Sequence, residues 1–475
     1  MLKTRFGTSL LALSVMLSAC GGGGGSTGGG TSVAPPPPPP TNSTCSLTNR
    51  QNFAADVLRE WYLFPETLPA NPNPAGFTSV QSYIDSLTAT ARGQRRDRFF
   101  TFITSIAEEN AFISSGASAG FGFRVFTDSA ARRVFIGETF ENTPALAANI
   151  DRGAEILAIG TTTANLRTVS DIIASEGGGG ITNALGPTTA GTVRVLRVLD
   201  ASGTRDVSVT KANFDLVPVS SRYGSRIIND GAKRVGYLNL RTFISSADPQ
   251  LRAAFDTFRA QGITEFVIDF RYNGGGLVST AELIGNLLGA NRSQNDVFSV
   301  TTFRPEKASN NSTERFQSQS QSVSPTKIAF ITTGSSASAS ELVINSMAPY
   351  LGNNIAIIGA NSFGKPVGQI AIDRAACDDR MRVIAFSTQN SAGGGFYYDG
   401  LAGKVANSCR ATDDLTKPLG DPQEASVRTA LDFLGGRTCT AIAGGGQTSQ
   451  AVSGKPQALT PLRPNAAQRE VPGLF

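Results

Sequence analysis

Three serines stand at alternate positions, Ser336, Ser338 and Ser340, in the stretch GSSASASELVI behind the apolar run KIAFITT. A serine hydroxyl becomes a nucleophile only when a neighbouring base takes its proton. The 475 residues include no histidine. That excludes a Ser-His-Asp triad, a Cys-His pair and zinc sites built on imidazole. The proton acceptor must be Lys, Asp, Glu, Tyr or water. Lys365 is a candidate, because it follows the apolar run NIAIIGA and a glycine-containing turn. A lysine beside buried surface loses solvation, which lowers its pKa and frees it to act as a base. Gln369, four residues on, can fix the amine without adding charge. Each residue also has a structural reading. Ser338-Ala339-Ser340-Glu341 fits a capping box at a helix start, and Lys365 fits an exposed loop. A serine at a helix N-terminus nonetheless sits beside unpaired N–H groups able to hold an oxyanion. A third stretch, EFVIDFRYNGGGLVSTAEL, ends a buried strand at Asp269, Arg271 and Asn273 and runs into Gly274, Gly275 and Gly276. It lacks the GxGxxG spacing and a Walker lysine, so an oxyanion donor fits at least as well as a phosphate cradle.

The three stretches, in this order, resemble the C-terminal processing (tail-specific) serine protease family, whose members carry D-x-R-x-N-x-G-G, then S-A-S-A-S-E, then F-G-K-x-x-x-Q. Here these are Asp269 to Gly276, Ser336 to Glu341, and Phe363-Gly364-Lys365 with Gln369. The resemblance covers roughly residues 214–434 and implies a serine endopeptidase with a Ser–Lys dyad. In that reading Ser338 is the nucleophile, Lys365 the general base and then acid, and Gln369 its orienting partner. The amides of Ala339 and of Gly275 or Gly276 form the oxyanion hole, while Ser336 and Ser340 are structural. Pro366 departs from the glycine many relatives carry and removes one backbone donor beside the base. No metal or cofactor is implied.

The elements that must hold these residues alternate from about Asp215 onward. RVGYLNL, TEFVIDF, KIAFITT and NIAIIGA read as strands; PQLRAAFDTFRAQ, LVSTAELIGNLLG and SELVINSMAPYL read as helices. That pattern predicts an α/β core with a largely parallel sheet over 215–440, of the crotonase/Clp-protease-like kind in the family. Over 114–214 the pattern is of short strands, GFGFRVF, RRVFIGETF, AEILAIG and TVRVLRVL, with one helix in TVSDIIASEG. GFGF, Gly120-Phe121-Gly122-Phe123, resembles the carboxylate-binding loop of PDZ domains, and ENTPALAANIDRGAEILAIG resembles a later PDZ stretch, with Ala154 where an Asp is common. Such a domain adds a substrate's C-terminal strand to a sheet edge. Residues 45–113 read as a helical N-terminal domain. The expected fold class is multidomain, α+β and α/β: helical domain, PDZ-like β domain and peptidase core. A Gly/Gln/Ser/Pro-rich tail, 441–475, reads as disordered, with self-processing at its apolar end VPGLF as one possibility.

Residues 1–19 combine Lys3, Arg5 and an apolar stretch too short to span a bilayer comfortably. Leu17-Ser18-Ala19-Cys20 resembles a bacterial lipobox, which implies lipidation of Cys20 and an anchored, exported protein. Gly21 after it is no Asp-type retention signal, which favours the outer membrane. Residues 20–44, glycine- then proline-rich, form a tether. Cys45, Cys377, Cys409 and Cys439 remain for two disulfides, expected as Cys377–Cys409 and Cys45–Cys439. The net charge of +5 with no dense basic stripe argues against nucleic acid. Expected partners are proteins or peptides with flexible C-termini. Two rival readings are a non-catalytic PDZ scaffold lipoprotein and a hydrolase of a non-peptide acyl group.

Overall fold

Successive residues in the apolar runs of the second half pack alternately on two faces of a sheet. Phe266, Ile268, Ile328, Phe330, Ile355 and Ile357 pack with the helices Ala247–Ala260, Val278–Leu287 and Ala339–Leu351. Val267, Ala329, Ile331, Ala356 and Ile358 pack with the helix Ala425–Leu434 on the other face. Strands covered on both faces bury unbroken apolar runs, which is why these segments show no polar face in the sequence. The sheet has six strands, in the order Ser225–Asp230, Lys233–Asn239, Glu265–Asp269, Lys327–Thr332, Ile355–Gly359 and Asn407–Arg410. The first pair is antiparallel and every later pairing is parallel. These features come from a computed structural model, which describes residues 43–443 and 456–475; the leader, Cys20 and most of the tether lie outside them.

A second sheet, five-stranded and antiparallel, is centred on the strand Asp379–Gln389. That strand pairs with Val367–Arg374, with Val297–Phe303 and with Phe102–Ser105. Phe102–Ser105 corrects the expectation of an all-helical 45–113. Helices do form at Leu47–Trp61, Val80–Leu87 and Ile106–Ser115. The first two share one apolar cluster with Val367, Met381, Val383 and Ile384 of the second sheet, while Phe112 of the third enters another with Phe140 and Phe214.

Between them lies a strand-rich region with its own apolar cluster. Phe123–Asp128, Arg133–Thr139, Glu155–Gly160, Val193–Asp200 and Gly203–Thr210 pair in sequence order as antiparallel neighbours, with the helix Val169–Leu185 packed against them. The chain enters along Ala117–Gly120 and leaves along Ala212–Asp215, and these two short strands pair with each other.

Two further expectations are overturned. The disulfides are Cys45–Cys377 and Cys409–Cys439. Cys45 closes on Cys377 because the turns Ser43–Cys45 and Ala375–Cys377 pack together. Cys409 meets Cys439 because Arg410 donates its N–H to Thr440 (2.7 Å) beside it. The stretch 441–475 is not disordered throughout. Residues 456–475 are ordered, with a short strand Gln457–Ala458 on the edge of Phe123–Asp128 and a helical turn Ala466–Glu470. Its low-complexity composition hides Leu459, Ala467, Val471, Leu474 and Phe475, which are buried in two apolar clusters.

Candidate active site

The strand Lys327–Thr332 turns sharply into the helix Ala339–Leu351, and the alternating serines make that turn. Ser336 is buried, donates its hydroxyl to the Phe270 carbonyl (2.7 Å) and accepts the Thr333 N–H (2.9 Å). Ser340, also buried, donates to the Asn273 carbonyl (3.2 Å). Both are therefore spent on tying the turn to the neighbouring Asp269–Asn273 segment. Ser338 lies between them, partly exposed, at φ 55° and ψ −114°. A non-glycine residue in that region is strained and persists only where its surroundings impose it.

Glu341 imposes it. This fully buried carboxylate accepts the N–H of Ser338 (3.1 Å) and of Lys365 (2.7 Å) on the same oxygen, Oε2, and that of Gly364 (2.7 Å) on Oε1. The serine turn and the lysine loop thus converge on one side chain. Burial pushes the Glu341 carboxyl up, while the Ser362 hydroxyl and the three amides pull the other way. The capping-box spacing exposed Glu341 as a helix cap; its hold on the loop 23 and 24 residues away had no local signal.

Lys365 is held at its other end. Its Nζ donates to Gln369 Oε1 (2.8 Å) and lies 5.1 Å from the Phe100 ring centroid. Gln369 in turn donates to the Phe100 carbonyl. Arg98 donates to the carbonyls of Phe363 (2.8 Å) and Gly364 (2.6 Å), clamping the same loop. Phe100 and Arg98, from the N-terminal region, are site residues the sequence did not disclose. Burial lowers the Lys365 pKa; Glu470 and Asp97 oppose this, and Arg382 and Arg469 add to it. Pro366 leaves the Lys365 amide engaged with Glu341, and its own carbonyl accepts the Thr388 N–H (3.0 Å).

The glycine turn closes on the serine. Gly275 has φ +119°, and a Cβ built there would lie 2.7 Å from Ser338 Cβ and 3.2 Å from the Ala339 nitrogen. Only glycine permits that approach. The Gly275 N–H donates to Asn273 Oδ1 (2.9 Å). Gly276 is turned toward Phe243, with which it forms a parallel bridge. Beneath, the buried Arg271 pairs with Asp269 (2.7 Å), Asp413 (3.1 Å) and Glu424 (3.0 Å), fixing the strand end that carries the turn.

Gly120–Phe123 belong to the strand-rich region, not to this cluster. Phe121 and Phe123 are fully buried. The N–H groups of Gly122 (2.9 Å) and Phe123 (3.3 Å) point to one acceptor, the carbonyl oxygen of Phe475.

Residues 234–390 match peptidase family S41. A putative S41 protease from Bacteroides fragilis superposes with a TM-score of 0.63 at 22% identity, over 81% of this chain and 97% of that one. Over 231 residues the sequence is 23% identical to carboxyl-terminal-processing peptidase 2, chloroplastic, of Arabidopsis thaliana, covering 46% of this chain and 41% of that protein. The chain thus spans about two fifths of the length of that curated relative.

Proposed function

We propose that this chain, a member of peptidase family S41 through its residues 234–390, is a serine endopeptidase using Ser338 and Lys365. The observation that carries the reading is the shared Glu341 oxygen, which fixes a strained serine and a desolvated lysine relative to each other. Lys365, whose charge burial disfavours, takes in its neutral form the Ser338 hydroxyl proton as Oγ attacks a peptide carbonyl. The carbonyl oxygen becomes an oxyanion, which the Ala339 N–H at the helix start stabilises. Gly275 adds a second donor once its N–H leaves Asn273. Lys365 then gives its proton to the departing amine, leaving an acyl-enzyme on Ser338. Water, deprotonated by Lys365, releases the acid and restores the serine. Gln369 directs the amine throughout.

The strand-rich region is the PDZ-like module that would capture a flexible C-terminal segment as an added strand, with Gly120–Phe123 as its amide-lined end. Two disulfides in the described residues support an oxidising compartment, in keeping with export and with lipidation at Cys20. The test is cleavage of an unfolded protein with an apolar C-terminus, products read by mass spectrometry, with Ser338→Ala and Lys365→Ala alongside. Activity lost in both variants supports the dyad. Cleavage of small esters but no peptide would turn the reading to a non-peptide acyl hydrolase. Tight tail binding without cleavage would turn it to a scaffold.

A further inference from the structure

The segment 456–475 lies where a substrate would have to go. Along the edge strand Phe123–Asp128 it behaves as an added antiparallel strand: Phe475 donates its N–H to Phe123 (3.0 Å), Val125 donates to Gly473 (2.8 Å), and Leu474 bridges Arg124. The side chains alternate as a strand's must. Phe475 enters the strand-rich cluster with Phe121 and Phe123, while Leu474 enters a separate cluster with Phe112 and Phe140. Upstream, the same segment reaches the catalytic cleft. Gly274 donates its N–H to the Glu470 carbonyl (3.0 Å). A cleft of about 580 Å³ is walled on one side by Ser335, Ala337 and Lys365 and on the other by Leu462, Arg469 and Glu470. Glu470 is also the foremost group opposing the loss of charge on Lys365.

We propose that residues 456–475 are a built-in competitor: they occupy the peptide groove and wall the cleft at Lys365, holding the protein inactive until an unfolded polypeptide with bulky apolar residues at its end displaces them. The catalytic half of this inference rests on the function proposed above; the groove half does not. An incoming segment must supply a strand edge for Phe123–Asp128 and apolar side chains for the two sites that Leu474 and Phe475 fill. Because the competitor is tethered, it binds as an intramolecular ligand, and a free segment sees only the open fraction of molecules.

The test uses the full chain. Gly473 has φ +86°, and a Cβ there would stand 2.8 Å from Arg124 Cγ and 2.9 Å from the Val125 carbonyl oxygen, so Gly473→Val expels the strand. Phe475→Asp removes its apolar anchor. On a Ser338→Ala background, a fluorescent peptide of residues 466–475 is titrated by polarisation. Both substitutions are expected to tighten its binding about tenfold or more, and with Ser338 intact to raise cleavage of an unfolded substrate to a similar degree. Equal peptide affinity with and without the substitutions overturns the inference, even if every form cleaves. Tighter peptide binding with no cleavage by any form upholds the groove half and sinks the peptidase reading. Should both substituted chains fail to fold, hydrogen exchange on the unmodified chain decides. Saturating unfolded substrate must deprotect the tail amides of Leu459 and Phe475, which lose the carbonyls of Val125 and Phe123, and leave the strand Lys327–Thr332 unchanged. Unaltered exchange at those amides overturns the inference.

Discussion

Glu341 is the residue on which the site turns, because one carboxylate replaces what would otherwise be two independent loop positions. Glu341→Gln keeps the shape but sets an NH2 against backbone N–H donors on one side. We expect kcat to fall about 10²-fold or more with little change in KM, measured by steady-state kinetics on a peptide substrate. Lys365→Arg should cost about 10²–10⁴-fold, since an arginine keeps the charge and cannot accept the proton. The wild type should show kcat/KM rising with pH through a pKa below the ordinary lysine value of 10.5, because burial holds the Lys365 pKa down and only the neutral amine is competent. A rate that falls with pH across that range would contradict lysine as the base. Ser338, Lys365 and Gln369 could be named as candidates from the sequence through the family resemblance, because the motifs that carry it are contiguous. Glu341 was legible only as a cap, and Phe100 and Arg98 not at all, because they act on a loop more than 260 residues away.

Elements buried on both faces announce themselves, and those that depend on distant partners do not. The strands Glu265–Asp269, Lys327–Thr332 and Ile355–Gly359 stood out as apolar runs because helices cover both sides of them. Phe102–Ser105 read as helix because the apolar spacing of RDRFFTFITSIAEENAFI continues into a real helix at Ile106. Its strand character comes from pairing with Asp379–Gln389, which no local pattern encodes. The tail failed for the same reason: its partner strand lies more than 300 residues earlier. The cysteine pairing likewise follows from which turns pack together. The element-scale prediction concerns the glycine turn. Gly275→Ala places a methyl 2.7 Å from Ser338 Cβ at a φ alanine rarely adopts. We expect near-complete loss of peptide cleavage and a destabilisation of about 1–3 kcal/mol, read by kinetics and by denaturant unfolding.

At the scale of the molecule, two buried ionic clusters join the strand-rich region to the core. In one, Glu138 pairs with Arg124 (3.2 Å) and Arg241 (2.6 Å), and Arg241 also holds Glu141 (2.7 Å). In the other, Arg152 and Arg271 converge on Asp413, at 2.7 Å and 3.1 Å. Burial alone would raise both carboxyls, but the arginines outweigh it and hold Glu138 and Asp413 at about 2. A carboxylate depressed in the folded state stabilises it above its unfolded pKa, near 4.5 for Glu138, and loses that contribution as pH falls toward 2. Denaturant midpoints should therefore drop steeply across that acid window, and the strand-rich region should lose protection first in hydrogen exchange. Removing the Cys45–Cys377 bridge by Cys45→Ser with Cys377→Ser should cost about 2–5 kcal/mol, read by the same unfolding curves, with the helix Leu47–Trp61 loosened most. The pairing of Ala117–Gly120 with Ala212–Asp215 has a consequence of another kind. The chain departs from the core and returns to it through adjacent strands, so the strand-rich region is plugged in at a single socket. A different module with neighbouring ends can be spliced there without rethreading the fold. On the function proposed above, the architecture therefore lets what is seized change independently of how it is cut.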